Sequence, residues 1–188
     1  VYSVGNTYLD RDARIAGSVL AGGSANAGRN LNVTGNWTGR SASLDRDAFV
    51  GGDVTAATGQ ISLSRNADVG GSVGGNAGIW IDRDSSVAGD VSPGPGRSLS
   101  TGRNVSIGGS QQAGPTAFDT LAHPAAPDRP TSAGPGSQGM WRGRGESLSL
   151  DPGAYASVGF GRNARLSLSA GDYTMSSFWM DRDGVVTV

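Results

Sequence analysis

The feature that most constrains the fold is an Arg-Asp or Arg-Asn pair that returns about every eighteen residues. Successive arginines of these pairs are 18, 17, 19, 18 and 20 residues apart, then 59 across one interruption, then 20. A fixed period of this kind indicates stacked repeats, in which each unit buries its apolar face only against the next. The chain is therefore predicted to form a rod. The pairs are Arg11-Asp12, Arg29-Asn30, Arg46-Asp47, Arg65-Asn66, Arg83-Asp84, Arg103-Asn104, Arg162-Asn163 and Arg182-Asp183.

Each repeat carries the pattern of short strands joined by tight corners. Alternation such as Ile61-Ser62-Leu63 and Leu166-Ser167-Leu168 is typical of strands with one buried face. The Asn or Asp after each Arg tolerates a left-handed backbone, and Gly fits the other corners without steric cost. All 15 basic residues are Arg and Glu146 is the only Glu, a composition that disfavours helices. We predict an all-β fold, a single-stranded parallel β-helix (β-solenoid) of about eight coils of 17–20 residues.

The pattern divides the chain into three parts. Residues 1–111 are predicted to form β-solenoid coils, residues 112–146 a Pro- and Gly-rich insertion loop, and residues 147–188 coils that continue the same rod. Five of the eight prolines lie in the insertion, and proline cannot donate a hydrogen bond to a strand ladder. The insertion is therefore predicted to leave the rod.

Charge and composition exclude several functions. The formal net charge of −1 gives no electrostatic footprint for nucleic acid, and no apolar run is long enough for insertion into a membrane. The absence of Cys excludes thiolate metal sites and disulfides. The corners also alternate between Asp-Arg-Asp, with formal charge −1, and Gly-Arg-Asn or Ser-Arg-Asn, with formal charge +1. This alternation favours one stacking register, because unlike charges face each other in successive coils.

Candidate catalytic groups are few, and we expect no enzyme, no cofactor and no metal site. His123, with Asp119 and Asp128 nearby, lacks the strand-turn-helix elbow that fixes a hydrolase triad. Acid pairs such as Asp82 and Asp84 recur at every second coil, which a role in the turn explains more simply than glycoside cleavage does.

Aromatic residues precede several of the corners. Tyr8, Trp80 and Trp179 each stand just before the last apolar residue of a strand, so they are predicted to point outward. Outward aromatics suit carbohydrate binding or side-by-side packing of rods, and they also cover neighbouring corners.

The two ends of the chain match in phase. Met180-Asp181-Arg182-Asp183-Gly184-Val185-Val186-Thr187-Val188 has the pattern needed to pair with the first coil of another copy, and such a contact propagates into a head-to-tail homopolymer. That joint places Asp-Arg-Asp on Asp-Arg-Asp and interrupts the charge alternation. The residues predicted to make this contact are Val1, Tyr2, Val4, Tyr8, Leu9, Trp179, Met180, Val185, Val186 and Val188.

The step Gly-Ser-Val or Gly-Asp-Val, as in Val50-Gly51-Gly52-Asp53-Val54 and Val69-Gly70-Gly71-Ser72-Val73, resembles the repeats of bactofilins, bacterial polymer-forming β-helical proteins. The resemblance covers residues 9–110, whereas residues 148–188 are more similar to β-solenoid repeats of bacterial surface proteins. It implies end-to-end self-assembly into a structural filament, extracellular or on the bacterial surface, in contact with glycan or envelope. Two alternatives remain open: a surface glycan-binding or glycan-cleaving module, and a cytoplasmic bactofilin-type scaffold.

Overall fold

A computed structural model describes residues 1–112, 139–171 and 173–187. Every strand pairing in the described residues is parallel, and these residues contain no helix. The predicted all-β parallel β-helix is therefore confirmed. The described residues form nine turns rather than about eight, since one sheet runs through nine strands, one from each turn.

Most strands have two to four residues, close to the short strands predicted from the alternation, and two of them have eight residues each. In chain order they are β1 (Tyr2–Ser3), β2 (Thr7–Leu9), β3 (Arg14–Ile15), β4 (Val19–Ala21), β5 (Ala25–Ala27), β6 (Asn32–Val33), β7 (Trp37–Gly39), β8 (Ala42–Leu44), β9 (Phe49–Val50), β10 (Val54–Ala56), β11 (Ile61–Leu63), β12 (Asp68–Val69), β13 (Val73–Gly75), β14 (Ile79–Ile81), β15 (Ser86–Val87), β16 (Val91–Ser92), β17 (Leu99–Thr101), β18 (Ser106–Ile107), β19 (Met140–Arg142), β20 (Ser147–Leu150), β21 (Gly153–Phe160), β22 (Arg165–Leu168), β23 (Tyr173–Met180) and β24 (Val185–Thr187).

Three sheet faces run along the rod. The first face has the order β16-β13-β10-β7-β4-β1-β23-β21, and the second has the order β17-β14-β11-β8-β5-β2-β23-β21-β19. The third has the order β18-β15-β12-β9-β6-β3-β24-β22-β20. The eight-residue strands β21 and β23 take part in both of the first two faces, so these faces form one sheet.

The core consists of inward columns, one residue per turn. The third face supplies Leu148, Leu166, Val186, Ile15, Val33, Val50, Val69, Val87 and Ile107 in that spatial order. On the second face, Ala25 and Ala42 occupy positions that Ile61 and Ile79 hold in later turns. Trp37, the largest side chain in the core, is fully buried in the same turn as Ala42.

The order of the turns is the main difference from the sequence-based expectation. Residues 139–187 belong to the same rod, but they do not follow β18. Instead β23 pairs with β1 and β2, and β24 pairs with β3, so the last turn of the chain lies against its first. We call residues 1–112, with six turns, the N-segment, and residues 139–187, with three turns, the C-segment.

The rod also includes part of the segment predicted as an insertion. Met140–Arg142 is a strand that pairs with Val158–Phe160, and the corner after it contains Gly145 with φ 71°. Gly145 takes the place that Asn or Asp holds in the other turns, which is why the Arg-Asp/Asn pattern did not reveal this turn. The rest of the insertion, residues 113–138, lies outside the described residues.

Candidate functional site

One column of corners runs the length of the rod and sets its register. All eight Asn and Asp residues that follow the repeat arginines have positive φ, between 56° and 63°. In all of them except Asn104, which lies in the last turn of the N-segment, the backbone N–H donates to the carbonyl of the arginine in the next turn, as from Asp12 to Arg29 at 2.8 Å and from Asp183 to Arg11 at 2.9 Å. The prediction that this position needs a left-handed residue is confirmed. The residues are Asp12, Asn30, Asp47, Asn66, Asp84, Asn104, Asn163 and Asp183.

The alternation of Asp and Asn along this column has a structural role. The Asn30 Nδ2 donates to Asp12 Oδ1 at 2.7 Å, and the same bond joins Asn66 to Asp47 at 2.8 Å and Asn104 to Asp84 at 2.9 Å. A carboxylate accepts and an amide donates, so each of these three Asn residues satisfies the Asp of the preceding turn, whereas Asn163 follows the Gly145 corner. The register therefore rests on these hydrogen bonds as well as on the predicted alternation of charge.

A second column of corners explains most of the repeated Gly residues. The side-chain oxygen of Asp53 accepts the backbone N–H of Ser72 at 2.7 Å, and Ser18 and Asn36 make the same type of bond to the next turn. A Cβ on Gly71 would lie 2.7 Å from the carbonyl carbon of Gly52 and closer still to Asp53 Oδ1. Gly71 has no positive φ, so this glycine is required by the close approach of successive turns, not by the backbone freedom that the sequence suggested.

The acid pairs considered for glycoside cleavage have structural partners. Asp82 Oδ1 accepts the N–H of Arg83 at 2.7 Å, and Asp84 Oδ1 accepts the amide of Asn104. A shallow polar groove runs over these corners, lined by Asp45, Arg46, Ser64, Arg65, Asp82 and Arg83. The partners of Asp82 and Asp84 favour the role in the turn that the repetition of the pair suggested.

An outward aromatic column covers the C-segment. In register order it contains Trp141, Gly159, Trp179 and Tyr8, and Trp141 and Tyr8 are exposed. The rings of Trp141 and Trp179 stack at 5.0 Å, and they meet across Gly159, where a Cβ would lie 2.5 Å from Trp141 Cε3. The predicted outward orientation is confirmed for Tyr8 and for Trp80, which is 36% exposed. Trp141, which the sequence placed in the insertion, is the most exposed aromatic of the column.

The residues predicted to join two copies are brought together within one chain. Tyr8 is the register partner of Trp179, Leu9 of Met180, and Ile15 of Val186. Tyr2 lies in β1, Val185 pairs with Arg14, Val4 is exposed, and Val1 is partly buried. Val188 lies outside the described residues. We call this contact, of β23 and β24 with β1, β2 and β3, the junction.

The junction carries polar groups where other turns are apolar. Thr7 is fully buried in the column between Phe178 and Ala25, and its Oγ1 has no hydrogen-bond partner in the described part of the chain. Ser3, fully buried beside Met175, is a second buried hydroxyl, and its Oγ donates to the carbonyl of Asn6 at 3.4 Å. A buried hydroxyl without a partner costs stability.

The corner column is also interrupted at the junction. Asp183 there adjoins Asp12, so two carboxylates follow one another without an Asn between them. Burial and the carboxylates of Asp10, Asp45 and Asp181 raise the pKa of Tyr8, which shows that acids from both segments lie near this ring. The sequence predicted this juxtaposition for a joint between copies, and it occurs inside one chain.

The rod ends in two open edges. The N-segment edge consists of β17, β18 and residues Ser110 and Gln111, which pair with Val91 of β16. The C-segment edge consists of β19, β20 and the first residues of β21, and no described strand lies beyond either edge. At the N-segment edge, Leu99, Val105 and Ile107 are only partly buried, as are Met140 and Leu148 at the C-segment edge. The corresponding residues one turn further in, such as Val87 and Leu166, are almost completely buried. Open strand edges with apolar ends recruit further strands.

The last turn of the N-segment is held by Asp90. The N–H of Ser110 donates to Asp90 Oδ1 at 2.7 Å and its Oγ at 3.0 Å. The backbone bond and then the hydroxyl bond lower the pKa of Asp90. A depressed carboxyl pKa means that this contact is present above the ordinary pKa of Asp and is lost as the pH falls through the lowered value.

Several expected features can be placed only in part. His123, Asp119 and Asp128 lie outside the described residues, so no triad geometry is formed or excluded. The described residues contain no group of His, Cys, Asp or Glu side chains arranged to hold a metal ion. A search of the same residues found no helix with the length and apolarity to cross a membrane.

Comparison with known proteins gave no similarity to any of them: no protein-family model, no curated protein and no solved structure matched the chain.

Proposed function

We propose that the chain is a structural subunit that stacks end to end into a filament through its N-segment and C-segment edges. The observation that carries the proposal is a match between these edges. The inward column of the third face begins at Leu148 and ends at Ile107, and that of the second face begins at Met140 and ends at Leu99. A second copy placed one turn beyond the first would continue both columns. All strands run in parallel, so such a contact is head to tail and does not close.

The surfaces of this stacking differ from those expected from the sequence. Val185, Val186 and Met180 are paired at the junction inside the rod, so they do not lie at either end where rods would stack. The edge residues Ile107, Leu99, Leu148 and Met140 take their place. Burial of these partly exposed side chains and pairing of the strand edges would drive association.

Electron microscopy of the purified chain at increasing concentration tests the proposal. We expect filaments about as wide as one rod, and their loss in the variants Ile107→Asp and Leu148→Asp, which place a carboxylate at either edge. Asn32→Asp is the matched control, because Asn32 lies on the outward side of the third face, away from both edges, between Arg14 and Phe49. Single short rods at every concentration, or filaments that survive both edge substitutions, would refute stacking through these edges.

We further propose that the filament is non-enzymatic and lies at the bacterial surface, because residues 148–188 resemble the repeats of surface solenoid proteins. The alternative is a scaffold in the cytoplasm. Fractionation of the source cells, followed by detection of the chain, separates these two.

The outward aromatics favour a second candidate, a glycan-binding module. Trp141 is 59% exposed and lies next to Trp179 and Tyr8 on one surface. Titration of tryptophan fluorescence with a panel of oligosaccharides, with Trp141→Ala as control, tests it. Saturable quenching that depends on Trp141 would support glycan binding, and its absence across the panel would leave the aromatic column as a cover of the corners.

A further inference from the structure

The rod consists of two covalently continuous pieces that meet only through noncovalent contacts at the junction. Residues 113–138, which number 26, join Gln112 at one end of the rod to Gly139 at the other. With about 4.8 Å between turns, the eight steps from β18 to β20 span roughly 38 Å. An extended chain reaches about 3.3 Å per residue, so 26 residues cover that distance with ample slack. The length of the connection therefore allows the C-segment to cover the first turn of its own chain or that of another copy.

The junction has the same register whichever chain supplies the two pieces. The contacts of β23 and β24 with β1, β2 and β3 are strand pairings of the same kind as those between all other turns. Their features are local: Thr7 faces Phe178, and Asp12 adjoins Asp183. The C-segment of a second copy would find an identical surface, with no new contact to form.

We propose that the C-segment exchanges between copies, so that the last three turns of one chain cover the first turn of another. Two features weaken the junction: the buried Thr7 Oγ1 has no partner in the described residues, and Asp12 and Asp183 are the one pair of successive described corners that both carry Asp. Both features disfavour the junction, which is the contact that exchange requires to open. Two copies can exchange reciprocally in a closed dimer, so exchange does not depend on stacking through the rod edges.

In a stacked filament, exchange changes the connection between pieces but not their positions. There the N-segment edge of one rod faces the C-segment edge of the next, so Gln112 and Gly139 of different rods are neighbours. If one chain supplies both of these pieces, residues 139–187 continue the rod directly after residue 112, as the sequence-based prediction had it.

Single cysteine variants report exchange, because the chain contains no Cys. Arg14 and Val185 are register partners across the junction on the outward side of the third face. Adjacent strands hold such positions about 5 Å apart, within the range of a disulfide. Arg14→Cys and Val185→Cys chains of different mass are mixed, unfolded, refolded together at a series of concentrations and oxidised.

We expect the yield of disulfide-linked heterodimer to rise with concentration. The matched control is a mixture of Val185→Cys with Asn32→Cys, since Asn32 lies one turn further along the column. The Arg14→Cys mixture should give severalfold more heterodimer than this control. The double variant Arg14→Cys/Val185→Cys, refolded at high dilution, should close its disulfide within one chain. If the double variant closes but the mixed single variants link no better than the control at any concentration, exchange is refuted.

Shortening the connection provides a second variant. Deletion of residues 118–135 leaves eight residues between Gln112 and Gly139, which reach roughly 30 Å and cannot span the rod. We expect this chain to be a dimer or larger at concentrations where the parent is monomeric, with the same circular dichroism spectrum. A folded monomer would contradict the proposal.

The edge variants Ile107→Asp and Leu148→Asp separate the stacking proposal from the exchange proposal. They should abolish stacking but leave the Arg14–Val185 link between chains intact.

Discussion

At the scale of single residues, the corner at Asn66 combines a left-handed backbone with an Asn-to-Asp bond. Asn66 has φ 58° and donates to Asp47 at 2.8 Å. We expect Asn66→Ala to lower the free energy of unfolding by about 2 kcal/mol, since Ala loses the bond and strains the backbone, and Asn66→Gly to lower it by about 1 kcal/mol. Urea denaturation measures both. Equal losses for Ala and Gly would show that the backbone conformation contributes nothing.

The second residue-scale prediction concerns the repeated glycines. A Cβ on Gly71 would overlap the preceding turn, whereas a Cβ on Gly78 would meet only the carbonyl oxygen of Ser98, at 3.4 Å. Gly71→Ala should therefore cost about 2 kcal/mol or more, and the matched control Gly78→Ala should stay within about 0.5 kcal/mol of the parent. Thermal unfolding distinguishes them. Similar melting temperatures for the two variants would refute the account of close approach between turns.

At the scale of strands and turns, the contents of each turn could be predicted from the sequence, but the order of the turns could not. The period located the corners, the strands and the outward Tyr8 and Trp80, because each depends on local chemistry. The order depends on which strand edges meet, and the edges of all turns are alike in backbone and similar in pattern. The pattern around Met180 and Val186 fits the first turn of the same chain as well as that of another copy. Pairing rules alone therefore could not decide between a contact within one chain and a contact between copies. The burial of Trp37 and the corner at Gly145 were not predicted, because each residue departs from the repeat at its position.

The junction supplies the element-scale prediction. Replacing the hydroxyl of Thr7 by a methyl group of similar size removes a buried oxygen that has no partner in the described residues. We expect Thr7→Val to raise the free energy of unfolding by about 1 kcal/mol or more. Thr7→Ser, which keeps the hydroxyl and leaves a small void, should be less stable than the parent. Denaturant titration of the three proteins tests the order, and a less stable Thr7→Val would show that the hydroxyl is satisfied in solution.

At the scale of the whole molecule, the proposed stacking brings two arginine corners together. Arg103 at the N-segment edge would face Arg144 at the C-segment edge, and Glu146, whose Oε2 accepts the N–H of Gly143 at 2.9 Å, offsets part of the second charge. Salt shortens the Debye length from about 30 Å at 0.01 M to about 3 Å at 1 M, so added salt should promote association of the parent chain. In Arg144→Glu the facing corners attract, and added salt should weaken association. Light scattering against ionic strength measures both slopes, and slopes of the same sign would contradict this joint.

The order of the turns is the central claim, and a distance between the two edges tests it most directly. Ser106 and Ser147 are exposed, lie in one outward column and mark the opposite ends of the rod. Spin labels on Ser106→Cys/Ser147→Cys, measured by pulsed electron paramagnetic resonance in a monomeric sample diluted with unlabelled chain, should be roughly 40 Å apart. If residues 139–187 instead followed β18 along the rod, the two labelled positions would lie in adjacent turns, about 5 Å apart between backbones. A short distance in the dilute monomer would overturn the structure described here.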